Sequence, residues 1–220
     1  MKPRRNRAMT ETHNIIEPFG LRGTLVRPER ARALIVFAHG SGSSRLSPRN
    51  AQVARALNDR GMATFLFDLL TSEEERDRRH VFDIPLLADR LVSAIRWLDD
   101  KQETGGLHLG LFGASTGAAA ALIAAADLGE RVEAVVSRGG RPDLAMPDLP
   151  KVRAATLLIV GGADTLVIGL NQKAFDALHE PRALEIVPRA THLFEEPGAL
   201  ERVVEHAADW FERYLGAEST

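Results

Sequence analysis

Along the chain, short and nearly unbroken apolar runs alternate with longer stretches in which apolar residues recur every three or four positions. Runs of the first kind mark strands covered on both faces, and the second pattern marks amphipathic helices. Leu21–Pro28 predicts an early strand that pairs with the segment Asn14–Phe19 before it. "RALIVFAHG" (Arg32–Gly40) and "MATFLFDLL" (Met62–Leu70) predict buried strands. Between them, "SPRNAQVARALNDRG" (Ser47–Gly61) has a serine N-cap, a proline at the first helical position and a closing glycine, so it predicts a helix. The charged segment Thr71–Asp83 predicts a surface loop. Ile84–Glu103 predicts a long helix with Leu87, Leu91, Ile95 and Leu98 on one side. Strands at Leu107–Gly113, Val132–Gly140, Ala155–Asp164 and Arg182–Pro188 then alternate with helices at Ser115–Leu128, Leu170–Glu180 and Gly198–Leu215.

This alternation implies an α/β chain, a mostly parallel central sheet flanked by helices on both faces. Its 220 residues suit one domain with a substantial core, expected over residues 14–217. Residues 1–13 are expected to form a flexible tail. Their basic start, "MKPRRNRAMT", is not followed by the apolar stretch of a signal peptide. The longest apolar run, Ala118–Ala126, is far too short to span a bilayer.

Composition removes several classes of chemistry. A formal net charge of -2 gives no field to gather nucleic acid or an anionic membrane. The absence of cysteine excludes disulfides, thiolate-bound zinc, iron–sulfur clusters and a cysteine nucleophile. No group of histidines and carboxylates has metal-ligand spacing, and neither G-x-G-x-x-G nor a phosphate-binding P-loop occurs. The expectation is a cytoplasmic monomer or small homo-oligomer with no metal and no cofactor.

In open parallel sheets, ligands bind beyond the carboxyl ends of the strands. Four of those ends carry suggestive residues: His39-Gly40-Ser41-Gly42, Gly113-Ala114-Ser115-Thr116-Gly117, Gly161-Gly162-Ala163-Asp164, and Pro188 to His192. Each alone has an ordinary explanation, since glycines suit turns, an aspartate caps a helix and a histidine faces solvent. Their conjunction is more specific. The pattern G-x-S-x-G lies between a predicted strand and a predicted helix, the setting of a nucleophile elbow. A β-carbon at Gly113 or Gly117 would crowd the strand and helix there. Ser115, Asp164 and His192 also follow the chain order of α/β-hydrolases, each at the end of a separate strand.

The stretches "FAHGSGSSRLSPRN", "GLFGASTGAAAAL", "VVSRGGRPDLA", "LLIVGGADTLV" and "VPRATHLFEEPGAL" resemble a small α/β-hydrolase of the dienelactone-hydrolase-like group, from about Leu21 to the last helix. That resemblance implies the α/β-hydrolase fold. One departure matters: dienelactone hydrolases proper use a cysteine nucleophile, whereas this chain has serine. The connection between "VVSRGG" and "ATLLIV" is too short for a lid domain, so the site is expected to suit small esters better than long-chain lipids.

The expected activity is hydrolysis of small carboxylic esters or lactones through an acyl-enzyme. Ser115 is the nucleophile, His192 its base and Asp164 the group that orients the imidazole. The backbone N–H groups of Thr116 and Ser41 are the expected oxyanion donors. His39 is a rival base, although the resemblance implies that it holds the oxyanion loop. Arg138 and Arg45 are candidates to bind a substrate carboxylate or phosphate. The alternative for them is a structural role, bonding loop carbonyls or Asp143. Two other functions fit the same residues: an acyltransferase that intercepts the acyl-enzyme, and a binding module on an inactive hydrolase fold. Hydrolases of this kind are sometimes joined to phosphoribosyltransferase domains, and none is expected within these residues.

Overall fold

Eight strands form one sheet in the order β1-β2-β4-β3-β5-β6-β7-β8 in a computed structural model that describes residues 8–216. In chain order the elements are β1 (Met9–Ile16), β2 (Leu21–Pro28), β3 (Ala33–Ala38), α1 (Pro48–Asp59), β4 (Ala63–Phe67), α2 (Arg78–Val81) and α3 (Ile84–Asp99). They continue with β5 (His108–Ala114), α4 (Thr116–Leu128), β6 (Ala134–Arg138), β7 (Ala155–Gly161), α5 (Thr165–Ala177), β8 (Arg182–Val187) and α6 (Ala199–Leu215). The strands from β3 to β8 run parallel, and β2 is antiparallel to both β1 and β4.

Alternate residues of the central strands feed two cores. On β3, Leu34, Val36 and Ala38 pack on one face with α3, α4 and Ala174 of α5. Ala33, Ile35 and Phe37 pack on the other with α1 and α6. Both faces are dry, so the strand sequences are apolar throughout. Fully burying a side chain such as Phe37, Phe112 or Phe211 contributes roughly 1.5–3 kcal/mol. The alanines of α4 let that helix approach β5 closely. An added β-carbon at Gly113 would stand 2.4 Å from the Cα of Ala118.

The chain leaves β3 toward β4 on one side and β5 toward β6 on the other, so a crevice opens above β3 and β5. Between β6 and β7, residues 139–154 form only short 3₁₀ turns, and no lid domain is inserted.

Some boundaries differ from the sequence expectation. Residues 9–13 belong to β1, paired from Met9↔Pro28 to Ile16↔Leu21, and are not a tail. Residues 1–7 of the expected tail lie outside the described residues. β1 is an edge strand that buries Ile16 alone, so it carries no apolar run to announce it. The charged segment after β4 winds into a 3₁₀ turn at Glu74–Arg76 and then α2, tied down by the Arg90–Glu74 ion pair at 2.7 Å. α3 stops at Asp99, where Thr104 Oγ1 donates to the Leu98 carbonyl at 2.5 Å. No described helix is long and apolar enough to cross a membrane.

Candidate active site

Ser115 sits between β5 and α4 with φ 51° and ψ -121°, a conformation that a residue with a β-carbon rarely adopts. The surroundings enforce it. Its N–H donates to the Arg138 carbonyl at 3.2 Å, and its carbonyl accepts from the N–H groups of Ala118 and Arg141, each at 3.1 Å. Gly117 lets α4 start directly above β3: a β-carbon there would lie 2.3 Å from the Ala38 carbonyl oxygen and 2.5 Å from that of His39.

Asp164 follows β7, and His192 lies in the loop after β8. These two strand ends meet because Gly161 has no side chain; a β-carbon would stand 2.4 Å from the Ala190 carbonyl oxygen. The Ala163 N–H donates to that same carbonyl at 2.9 Å. Buried Phe194 anchors the histidine loop in the core, and Glu196 accepts the Thr191 N–H at 3.0 Å. Hydrogen bonding to the Thr191 side chain first, and then to the backbone N–H groups of Glu196 and Thr191, holds the Glu196 carboxyl below its usual range.

The three side chains form one hydrogen-bonded chain. His192 Nδ1 is 2.7 Å from Asp164 Oδ2, and His192 Nε2 is 3.4 Å from Ser115 Oγ. An ionised carboxylate can only accept, so this arrangement has Nδ1–H donating to Asp164 and leaves Nε2 free to accept from the serine. The aspartate side chain is 16% exposed and the histidine 39%. The carboxylate is therefore sheltered while the imidazole stays open to a substrate.

Both Ser115 and Asp164 are N-cap residues, of α4 and α5, and neither side chain caps its helix. Ser47, Asp77 and Asp83 do cap theirs. A capping side chain typically contributes about 1 kcal/mol. Here two residues of strong capping types forgo that contribution and face His192 instead.

His39 is engaged at both nitrogens: Nε2 accepts the Leu69 N–H at 3.1 Å, and Nδ1 lies 3.0 Å from the Gly40 carbonyl. Burial pushes its pKa below the usual imidazole value. The ring ties the loop after β3 to the end of β4 and has no nitrogen left for Ser115.

Thr116 occupies the first position of α4, where an N–H has no intrahelical acceptor. The Ser41 N–H donates to Thr116 Oγ1 at 2.9 Å. Gly40 lies against the serine; a β-carbon there would be 3.0 Å from Ser115 Cβ. A cavity of about 780 Å³ opens beside this loop. Gly40 to Ser44 line it on one side, Leu46, Leu69, Leu70 and Phe82 supply apolar walls, and Arg49, Arg78 and Glu75 supply charges of both signs.

The two arginines expected near substrate part company. Arg45 is committed to Asp68, with its N–H on Oδ1 at 2.8 Å and Nη1 on Oδ2 at 2.6 Å. Arg138 is 7% exposed, and its side chain makes one hydrogen bond, from Nη2 to Asn50 Oδ1 at 3.4 Å. Asp143 pairs with Arg141 instead. Sequence reasoning did not reach Arg49, Asn50, Glu196 or Asn171. Asn171 holds the Gly140 carbonyl from α5 at 3.0 Å. Arg49, Asn50 and Asn171 act on partners distant in the chain, and no local motif marks such residues, whereas Glu196 reaches back only to Thr191. Among the described residues, no group of three or more histidine, aspartate or glutamate side chains is placed to hold a metal ion.

The sheet order, the strained serine between strand and helix, and the position of all three side chains at strand ends define an α/β-hydrolase. The family model described as "Alpha/beta hydrolase domain" matches residues 31–210, and the chain belongs to that family. Within it, the chain is a small member of the dienelactone-hydrolase-like group. It is similar to the crystal structure of a dienelactone hydrolase from Anabaena variabilis, with 53% identity and a TM-score of 0.90 over 95% of this chain and 99% of that one. Est1E from Butyrivibrio proteoclasticus has the same fold, at 13% identity and a TM-score of 0.80 over 94% of this chain and 99% of that one. A curated Mycobacterium tuberculosis (strain H37Rv) protein, provisionally named a phosphoribosyl transferase, is 56% identical over 205 residues. The match covers 93% of this chain and 46% of that protein, so the chain spans about half the length of its curated relative.

Proposed function

We propose that this chain is a serine hydrolase that cleaves small carboxylic esters or lactones through a Ser115–His192–Asp164 triad. The observation that carries the reading is the hydrogen-bonded chain from Asp164 through His192 to Ser115 at a strained strand-to-helix bend. His192 Nε2 takes the Ser115 hydroxyl proton as Oγ bonds to the acyl carbon, and the same proton passes to the leaving alkoxide as the C–O bond breaks. Water then repeats the sequence on the acyl-enzyme: His192 takes its proton, the carboxylic acid forms and Oγ recovers a proton. Asp164 stays ionised throughout, fixing the imidazole tautomer and stabilising the imidazolium.

The oxyanion accepts from the Thr116 N–H and from the Ser41 N–H. In the free site the Thr116 hydroxyl occupies the second donor, and rotation of that side chain hands the N–H to the oxyanion. Each such donor is worth roughly 3–4 kcal/mol in the barrier. The short connection between β6 and β7 favours small substrates. The transferase named in the longer relative belongs, in this reading, to the half of that protein which this chain does not match.

A panel of para-nitrophenyl esters and small lactones tests the activity. Acetate and butyrate esters are turned over with kcat/KM well above that of the palmitate ester, and Ser115→Ala lowers kcat by about a thousandfold or more. Equal activity in the variant would place the chemistry elsewhere.

A further inference from the structure

Two large apolar side chains stand exposed in the lining of the cavity beside the Ser41 loop: Leu46 is 69% exposed and Phe82 51%. Buried Leu69, Leu70 and Leu87 line it as well. Uncovered apolar surface is unfavourable in water, and gathered in a concave place it marks a site that a ligand covers. The volume of about 780 Å³ falls in the range of small-molecule sites, roughly 300–1,000 Å³. The charges there do not select an ion. Arg49 bonds Glu195 at 3.2 Å, the Arg78 guanidinium lies 5.5 Å from the centre of the Phe82 ring, and Glu75 brings the opposite sign.

The segment that carries Phe82 is anchored at both ends. Thr71 and Glu74 cap each other: Glu74 Oε2 accepts the Thr71 N–H at 2.8 Å, and Thr71 Oγ1 accepts the Glu74 N–H at 3.2 Å. Arg90 of α3 donates to Glu74 at 2.7 Å and lies 3.7 Å from the centre of the Phe19 ring. Immediately after Phe82, Asp83 caps α3 by accepting the Leu86 N–H at 3.1 Å. The aromatic wall is therefore preorganised, which spares a ligand the cost of ordering it. The cavity also abuts the site along the Gly40–Ser41 turn. Both residues line it, a β-carbon on Gly40 would be 3.0 Å from Ser115 Cβ, and the Ser41 N–H reaches Thr116.

We propose that this cavity is the specificity pocket of the hydrolase and takes a neutral aromatic ring of the ester against Phe82 and Leu46. A ring packs on the Phe82 face with a gain beyond its buried area and has few rotors to immobilise, unlike a long alkyl chain. The inference rests on the hydrolase reading above and names its substrate class.

The test compares benzyl acetate with ethyl acetate, and methyl phenylacetate with methyl acetate. Each kcat/KM is divided by the rate constant of the same ester with hydroxide, which removes intrinsic reactivity. The wild type prefers the aromatic ester of at least one pair by about tenfold or more, the scale on which apolar pockets discriminate. The pair with the larger preference shows whether the ring enters on the alcohol or the acyl side. Phe82→Ala and Leu46→Ser each erase most of that preference, and at these exposed positions the thermal midpoint stays near that of the wild type. Ile186→Ser, at an exposed apolar residue of β8 outside the cavity, keeps the preference; an equal loss there would trace the effect to the fold and overturn the pocket. Saturation-transfer NMR with benzyl alcohol and phenylacetamide needs no turnover. The ring protons of at least one of them receive saturation from the wild type and much less from Phe82→Ala. No aromatic preference in either pair, or one that Phe82→Ala and Leu46→Ser leave intact, overturns the pocket and leaves the hydrolase standing. Failure to turn over any ester counts against the hydrolase reading, and the NMR arm still decides the pocket, since transfer to neither compound overturns it.

Discussion

At Ser115 the backbone holds φ 51° although a side chain is present, and the residue makes no cap for the helix it begins. Strain of this kind costs about 1–3 kcal/mol and persists where its surroundings over-determine it. Ser115→Gly relieves the strain at some cost in unfolded-state entropy. It is therefore expected to raise stability by about 1 kcal/mol, read from the urea midpoint, while abolishing turnover. A lower midpoint would mean that the bend is not strained. The serine was legible because G-x-S-x-G fell between a strand pattern and a helix pattern, and Asp164 and His192 because each followed a run of apolar residues. Arg138 was legible as a candidate residue, with anion binding and a structural role both open, but its isolation from any carboxylate was not. Its isolation depends on Asp143 choosing Arg141 and on burial beneath α1, and neither leaves a mark in the local sequence.

Elements place these residues by meeting at their ends. β3 and β4 are pinned together above the sheet by His39, which accepts the Leu69 N–H on Nε2. Protonating Nε2 breaks that bond, and burial already holds the folded-state pKa below the 6.5 of a free imidazole. The folded protein thus binds fewer protons at His39 than the unfolded chain. This contribution is complete above about pH 6.5 and is lost as the pH falls from there through the folded-state value. Urea midpoints at about pH 7.5 and about pH 5.5 are expected to drop more for wild type than for His39→Gln. Parallel drops would assign the acid sensitivity to other groups. Most elements could be read from periodicity because the central strands are apolar on both faces and α3 and α6 are amphipathic. Of β1 only the end, Asn14–Ile16, and its pairing with β2 could be read, since an edge strand with one buried residue has no apolar period. α5 begins at Thr165 rather than Leu170, because Gly169 reads as a breaker in sequence yet meets nothing on its exposed side of the helix.

Across the whole molecule, the reversal of strand order between β3 and β5 puts the Ser41 loop and the Ser115 bend on one crevice, and the parallel strands beyond deliver Asp164 and His192 to its other wall. No residue of this group neighbours another in the chain, so the site exists only when the sheet is complete. Its central claim is that Ser115 is an activated nucleophile. The most direct measurement is labelling of the folded protein with a fluorophosphonate probe, followed by intact mass and peptide mapping. The account predicts one adduct per chain on Ser115, absent in Ser115→Ala and slowed in His192→Ala. A folded wild-type protein that takes no label, or takes it on another residue, would contradict it.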